Sequence, residues 1–244
     1  MSSNSETGHA RNVSNFGTLT ASVVGLGLKY NPVNPLITVS ALNQLHTDAS
    51  GAMSGVNSKL TIYSNTASAR EAVFSGLSKR ITRVMGALRS SGASAAVIDG
   101  ADSFAKLIRG MRINPKKSPE TAGETGENSS ASKSTSRMSY SSRLDNFDKF
   151  IKYLEASNVY ATNEEDISLD SLKAYYTALL AVNSPADEAE TNLDNARIAR
   201  DKILYAPGTG LVAIALIVKE YVKSVFGASA PEYKNIKSIK FTAP

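Results

Sequence analysis

The chain has 244 residues, 42% of them apolar, 7% aromatic and 20% charged, and a formal net charge of +5. It contains no Cys, no Trp and only two His, which excludes a disulfide framework and any thiolate metal site. The apolar share is slightly lean against the roughly 45–50% of globular domains, and it rests on Leu, Ile, Val and Ala, of which Ala and Leu are strong helix formers.

Residues 1–14 carry no apolar core and no small-residue cleavage site, so they read as a disordered tail rather than a signal peptide. His9 falls in this tail. A first helix is expected near Phe16–Leu28. After an extended, Pro-containing segment, Thr38 or Ser40 caps a second helix. Its Leu42, Leu45, Ala49 and Ala52 recur at three- and four-residue spacing, the period of an amphipathic helix. His46 sits at its boundary. A break is expected at Ser54-Gly55-Val56. A third helix spans Leu77–Arg89 with Leu77, Ile81, Val84 and Leu88 inside, and Ser94 caps a last segment running to about Gly110.

Residues 111–138 are rich in Ser, Thr, Gly, Glu and Lys. They cannot bury enough apolar surface to offset their ordering entropy, which predicts a disordered linker centred on 114–136.

The order of signals then repeats. A helix is expected over Arg143–Ala156. Ser168 or Asp170 caps the next, with Leu172, Tyr175, Leu179 and Val182 in period, and Ser184-Pro185 predicts a kink or a fresh start. Pro207-Gly208-Thr209-Gly210 reads as a helix-to-helix turn with Thr209 as the cap; no Lys follows the glycines and no strand precedes them, so a phosphate-binding loop fails. Leu211–Val225 is apolar nearly all round and predicts the most buried helix, with Ser229 capping a short final segment. Its longest apolar run, Leu211–Val218, is far short of the roughly 20 residues of a membrane span.

Ile37-Thr38-Val39-Ser40-Ala41-Leu42 matches Ile167-Ser168-Leu169-Asp170-Ser171-Leu172 at an offset of 130, as do Asn65, Ala69, Arg70 and Glu71 with Asn195, Ala199, Arg200 and Asp201. Gly92-Ala93-Ser94 matches Gly227-Ala228-Ser229 at an offset of 135. Co-linear matches of this kind are the mark of an internal repeat. The expected fold is all-α: two diverged copies of a three- to four-helix up-and-down bundle, residues 15–110 and 139–244, on either side of the linker.

The residues supply no catalytic constellation, and neither a cofactor nor a metal is expected. Glu164, Glu165 and Asp166 precede a helix, where negative charge suits the helix dipole. Arg70 and Arg200 occupy equivalent places in the two copies and read as structural anchors. Charge divides the chain: residues 1–110 are net +5 and residues 139–244 net −2. The basic excess gathers at Lys79, Arg80, Arg83, Arg89, Lys106 and Arg109. The acidic side comprises Glu164, Glu165, Asp166, Asp187, Glu188 and Glu190. Opposite charges predict head-to-tail contact between molecules, giving rings or open filaments. The expected function is therefore a non-enzymatic structural or protein-interaction role, with itself or another protein as partner. Nucleic acid bound by the basic first half is the alternative.

The strings Asn15-Phe16-Gly17-Thr18-Leu19, Tyr30-Asn31-Pro32-Val33-Asn34-Pro35-Leu36-Ile37, Tyr140-Ser141-Ser142-Arg143-Leu144-Asp145-Asn146-Phe147-Asp148-Lys149 and Val225-Phe226-Gly227-Ala228-Ser229 resemble a family of uncharacterised, roughly 240-residue helical proteins of Bacteroidota bacteria. The resemblance implies a bacterial cytoplasmic setting and brings no activity or functional residue with it.

Overall fold

A computed structural model describes residues 6–111 and 139–242; the predicted linker, 114–136, lies outside them. The described residues form eight α-helices and no strand. They are α1 (Glu6–Val24), α2 (Val39–Ser75), α3 (Leu77–Ser90), α4 (Ala95–Ile108), α5 (Tyr140–Ser157), α6 (Leu169–Tyr205), α7 (Leu211–Phe226) and α8 (Pro231–Ser238). Short 3-10 turns at Pro35–Ile37 and Glu165–Ile167 lead into α2 and α6.

Two compact units emerge, and neither follows the expected division at 15–110 and 139–244. The first draws on the stretches 1–63 and 189–244, the second on 64–188. Both boundaries fall inside the 37-residue helices α2 and α6. The first core joins Phe16, Leu19 and Val23 of α1 and Leu42 and Ala49 of α2 to Leu204 of α6, Leu211, Ile214 and Val218 of α7 and Ile236 of α8. The second joins Phe74 of α2 and the buried faces of α3 and α4 to Phe147, Phe150 and Leu154 of α5 and Leu172 and Leu179 of α6. Each core thus takes one leading helix and half a long helix from one part of the chain, and the end of a long helix with two following helices from the other.

Local chemistry explains the ends of these helices. Thr38 Oγ1 accepts from the Ala41 N–H at 3.3 Å, and Ser168 Oγ accepts from the Ser171 N–H at 3.2 Å. Thr38 and Ser168, rather than Ser40 and Asp170, are therefore the caps. Ser94 caps α4 as expected. Ser229 does not cap α8: Ala230 holds that place, and Pro231 sets the first helical turn.

Other expectations are corrected. Residues 6–14 are the start of α1, not a tail, because Asn12 is buried and ties the helix to the end of the chain. Its Nδ2 donates to the Thr242 carbonyl at 2.8 Å and its Oδ1 accepts from the Thr242 N–H at 3.0 Å. His9 belongs to the same helix, with Nδ1 2.7 Å from the Tyr205 hydroxyl. Helix α6 does not restart at Pro185, nor α2 at Gly55. Pro185 and Ala181, whose carbonyl loses its helical donor, are both exposed, so that carbonyl is open to solvent. Helix α7 is not buried all round; Leu216 is 55% exposed.

The turn before α7 is capped by Gly210 without a side-chain bond, not by Thr209. A Cβ on Gly210 would stand 2.5 Å from the Ala206 nitrogen and 2.8 Å from its carbonyl oxygen, so only Gly lets the backbone fold back this closely. Gly210→Ala is expected to destabilise the protein by roughly 2–3 kcal/mol, since the clash is with backbone that cannot rotate away. Urea unfolding checks this, with Gly8→Ala, where a Cβ meets nothing within 4 Å, as the control.

Candidate interaction site

The connection leading into each long helix is the most constructed feature of its unit. In the second unit the left-handed Asn158 (φ 53°) ends α5. Tyr160, 8% exposed, then donates its hydroxyl proton to the Ile167 carbonyl at 2.8 Å. This closes the loop over Ile167, and burial pushes the Tyr160 phenol up to about 12. In the first unit Tyr30, 7% exposed, makes the same bond to the Ile37 carbonyl at 2.6 Å, and burial raises its pKa as well.

The expected basic and acidic sets meet at the second of these loops. The Arg83 guanidinium grips the Asp166 carboxylate with both terminal nitrogens, one at 2.9 Å from Oδ1. Arg80 donates to the Asp166 carbonyl and to Ser171 Oγ, and its guanidinium lies 4.3 Å from the Tyr175 ring centroid. The Arg83 hydrogen bond, reinforced by its charge, holds the Asp166 carboxyl below the usual range. Glu164 is lowered too, first by its hydrogen bond from Thr162. Arg89 and Lys106 both pair with Asp102, at 3.6 and 2.9 Å, and Arg109 donates to Thr82 Oγ1 at 2.9 Å. Lys79, Glu165, Glu188 and Glu190 are exposed and form no ion pair among the described residues.

Arg70 and Arg200 are buried at 8% and 4% exposure. Arg70 pairs with Asp187 at 2.7 Å and reaches Asn183 Oδ1 at 3.5 Å, while its guanidinium lies 4.2 Å from the Tyr140 ring centroid. That spends Asp187, expected on the acidic face, on a contact joining α2, α5 and α6. Arg200 pairs with Asp201 at 2.9 Å.

Beside the Arg83–Asp166 pair lies a cleft of about 510 Å³, walled by Gly86, Ala87 and Ser90 of α3, by Ser91 that follows it and by residues 161–164 of the loop. The first unit presents a different surface at its matching loop. Leu28 is 100% and Val33 99% exposed, with Val24 and Leu36 half or nearly half exposed. These apolar residues were not singled out from the sequence, although Val33 and Leu36 each follow a proline in a segment with no helical period.

Among the described residues no group of His, Asp and Glu has metal-binding geometry, and no helix is long and apolar enough to cross a membrane. No family model, curated protein or solved structure matches the chain.

The Asp166 carboxylate has a direct signature. Its carboxyl carbon should titrate in NMR below the ordinary Asp value of about 3.9, and Arg83→Gln should move that midpoint upward. A folded pKa below the unfolded one means the pair stabilises above the unfolded value and is lost as pH falls through the folded one. The stability difference between wild type and Arg83→Gln should therefore vanish in acid. An Asp166 midpoint unchanged by the substitution would refute the assignment.

Proposed function

We propose that this is a non-enzymatic protein-interaction protein of the bacterial cytoplasm that engages a second copy or another protein through the apolar loop of its first unit. The observation that carries the reading is the complete exposure of Leu28 and Val33. Burying each of two such side chains in a contact is worth roughly 1.5–3 kcal/mol, and clustered exposed apolar residues are a mark of binding surfaces. Of the opposite charges expected to join molecules, Arg83, Asp166 and Asp187 are spent within the second unit, in Arg83–Asp166 and Arg70–Asp187. Apolar contact therefore supplies the affinity in this reading, and the remaining Lys79, Glu165, Glu188 and Glu190 tune it.

We also infer that the chain is an internal duplication whose halves have exchanged partners. Helices α2 and α6 are both 37 residues long and start 130 positions apart. The pattern of buried and exposed residues over 31–50 recurs over 161–180 at every position except Asn34 and Glu164. The Tyr30 and Tyr160 locks and the caps at Thr38 and Ser168 fall at the same offset. Mixing a leading helix from one half with the closing helices of the other is domain swapping carried out inside one chain.

Light scattering on a size-exclusion column tests the interaction reading. Mass above the 25.9 kDa of one chain, rising with concentration and abolished by Leu28→Ser with Val33→Ser, is the result expected for a second copy. A wild-type monomer at every concentration would remove self-association, and a high 260/280 nm ratio with steep salt dependence would favour nucleic acid.

A further inference from the structure

The two matching loops differ in what rests on them. In the first unit Tyr221 of α7 packs edge-on against Tyr30, with ring centroids 5.1 Å apart at 89°, and its hydroxyl accepts from the Asn31 N–H at 3.2 Å. Aligning the buried positions of α3 and α7 pairs Leu77, Ile81, Val84 and Leu88 with Leu211, Ala215, Val218 and Val222. On that alignment Ala87 stands where the first unit has Tyr221, and Gly86 where it has Glu220. The loop side agrees: Tyr160 and Ala161 stand where the first unit has Tyr30 and Asn31. The cleft of about 510 Å³ opens at this place, lined by both Ala87 and Ala161. No described residue accepts the Ala161 N–H.

We infer that the Gly86–Ala87/Ala161–Glu164 cleft of the second unit is a docking site for a tyrosine side chain of another polypeptide, held as Tyr221 is held in the first unit. The inference stands on the correspondence of the two loops and not on the apolar surface proposed above. Its hydroxyl takes the Ala161 N–H. Its ring lies over Ala87 and meets the exposed rim of Tyr160, 8% exposed, as Tyr221 meets Tyr30. The cleft exceeds the volume of one phenol and falls in the roughly 300–1,000 Å³ range of ligand clefts, leaving room for flanking residues. Ser90 and Ser91 face those residues; their hydroxyl protons are engaged by the Ala87 and Leu88 carbonyls, so their free lone pairs accept from peptide N–H groups. Glu164 and Thr162 close the other wall. The residues between 112 and 138 contain no aromatic side chain, so the ring comes from a different chain.

The test is an amide NMR titration of the full chain with acetyl-Gly-Tyr-Gly-amide. The expected result is a saturable shift of the Ala161 N–H with a dissociation constant on the order of millimolar, the scale of a single small-ligand contact. The phenylalanine peptide should bind about 2- to 10-fold more weakly, the net worth of one hydrogen bond. Ala87→Tyr should fold, since α7 shows that a tyrosine fits, and should lose the binding. The Leu28→Ser, Val33→Ser double variant should retain it whatever its assembly state, which separates this site from the surface proposed above. No saturable shift at Ala161 in the wild type overturns the inference. So does equal affinity for the two peptides, or undiminished binding by a folded Ala87→Tyr. An Ala161 shift that follows the protein's own concentration without peptide would support the inference and identify the polypeptide as a second copy.

Discussion

A narrow line of burial along two long helices governs the architecture. In α6 the residues Leu172, Leu179, Ala186, Leu193 and Arg200 are buried at intervals of seven, and in α2 Leu42, Ala49, Val56 and Arg70 follow the same rule with Tyr63 half-buried between. A seven-residue spacing is the seam of a helix that packs along a strip, not across a broad face. Such a strip, partly of Ala, buries too little to hold a helix of this length, whose stability comes from tertiary packing more than from propensity. The wider apolar faces of α1 and α7 in one unit, and of α3, α4 and α5 in the other, supply what the strips lack. Both strips end on a buried arginine, and a buried cation must be paired. Hence Arg70 carries Asp187, Asn183 and the Tyr140 ring, and Arg200 carries Asp201.

The entry to each long helix is fixed by one phenol. Tyr30 and Tyr160 each tie their hydroxyl to a carbonyl seven residues on, just before the capping Thr38 or Ser168. The bond satisfies a carbonyl at a 3-10 turn while its ring fills the space under the loop. Loop and helix start are thereby set together, so that small changes in the loop sequence alter its outer surface without moving the helix. This separation of scaffold from surface is what allows the two loops to differ in chemistry while sharing a backbone course.

Much of the helical layout was legible in the residues, because it rests on short-range signals. The three- and four-residue period of Leu77, Ile81, Val84 and Leu88 delimits α3, and Thr38, Ser168 and Ser94 announce helix starts by their own hydroxyls. What was not legible depends on residues far apart in the chain. Nothing local says that Asn12 meets Thr242, so α1 looked like a tail up to Phe16. Pro185 looked like a break because its exposure, which leaves the freed carbonyl open to solvent, is a tertiary property. Gly210 takes the cap from Thr209 because of its approach to Ala206. The charged residues were visible as sets. Their pairing was not, since Arg83 and Asp166 are separated by 83 positions and opposite net charges on two halves are compatible with contact inside one molecule or between two.

The matching loops have diverged in opposite directions, and that divergence is where function is most economically sought. Leu28, Val33 and Leu36 of the first unit stand where the second has Asn158, Asn163 and Asp166. In the second unit the polar version is held against α3 by Arg80 and Arg83, leaving a cleft over Ala87. In the first the apolar version is left bare, while Tyr221 fills the place corresponding to the cleft. Core packing explains none of these choices, because the buried residues of the two connections, Tyr30 with Ile37 and Tyr160 with Ile167, are the same pair. A side chain at full exposure contributes almost nothing to the stability of its own fold, and two aliphatic ones bring a cost in solubility. Their chemistry is accounted for by what they meet outside the molecule, and the two loops present that outside with different surfaces, one bare and apolar, the other recessed and polar.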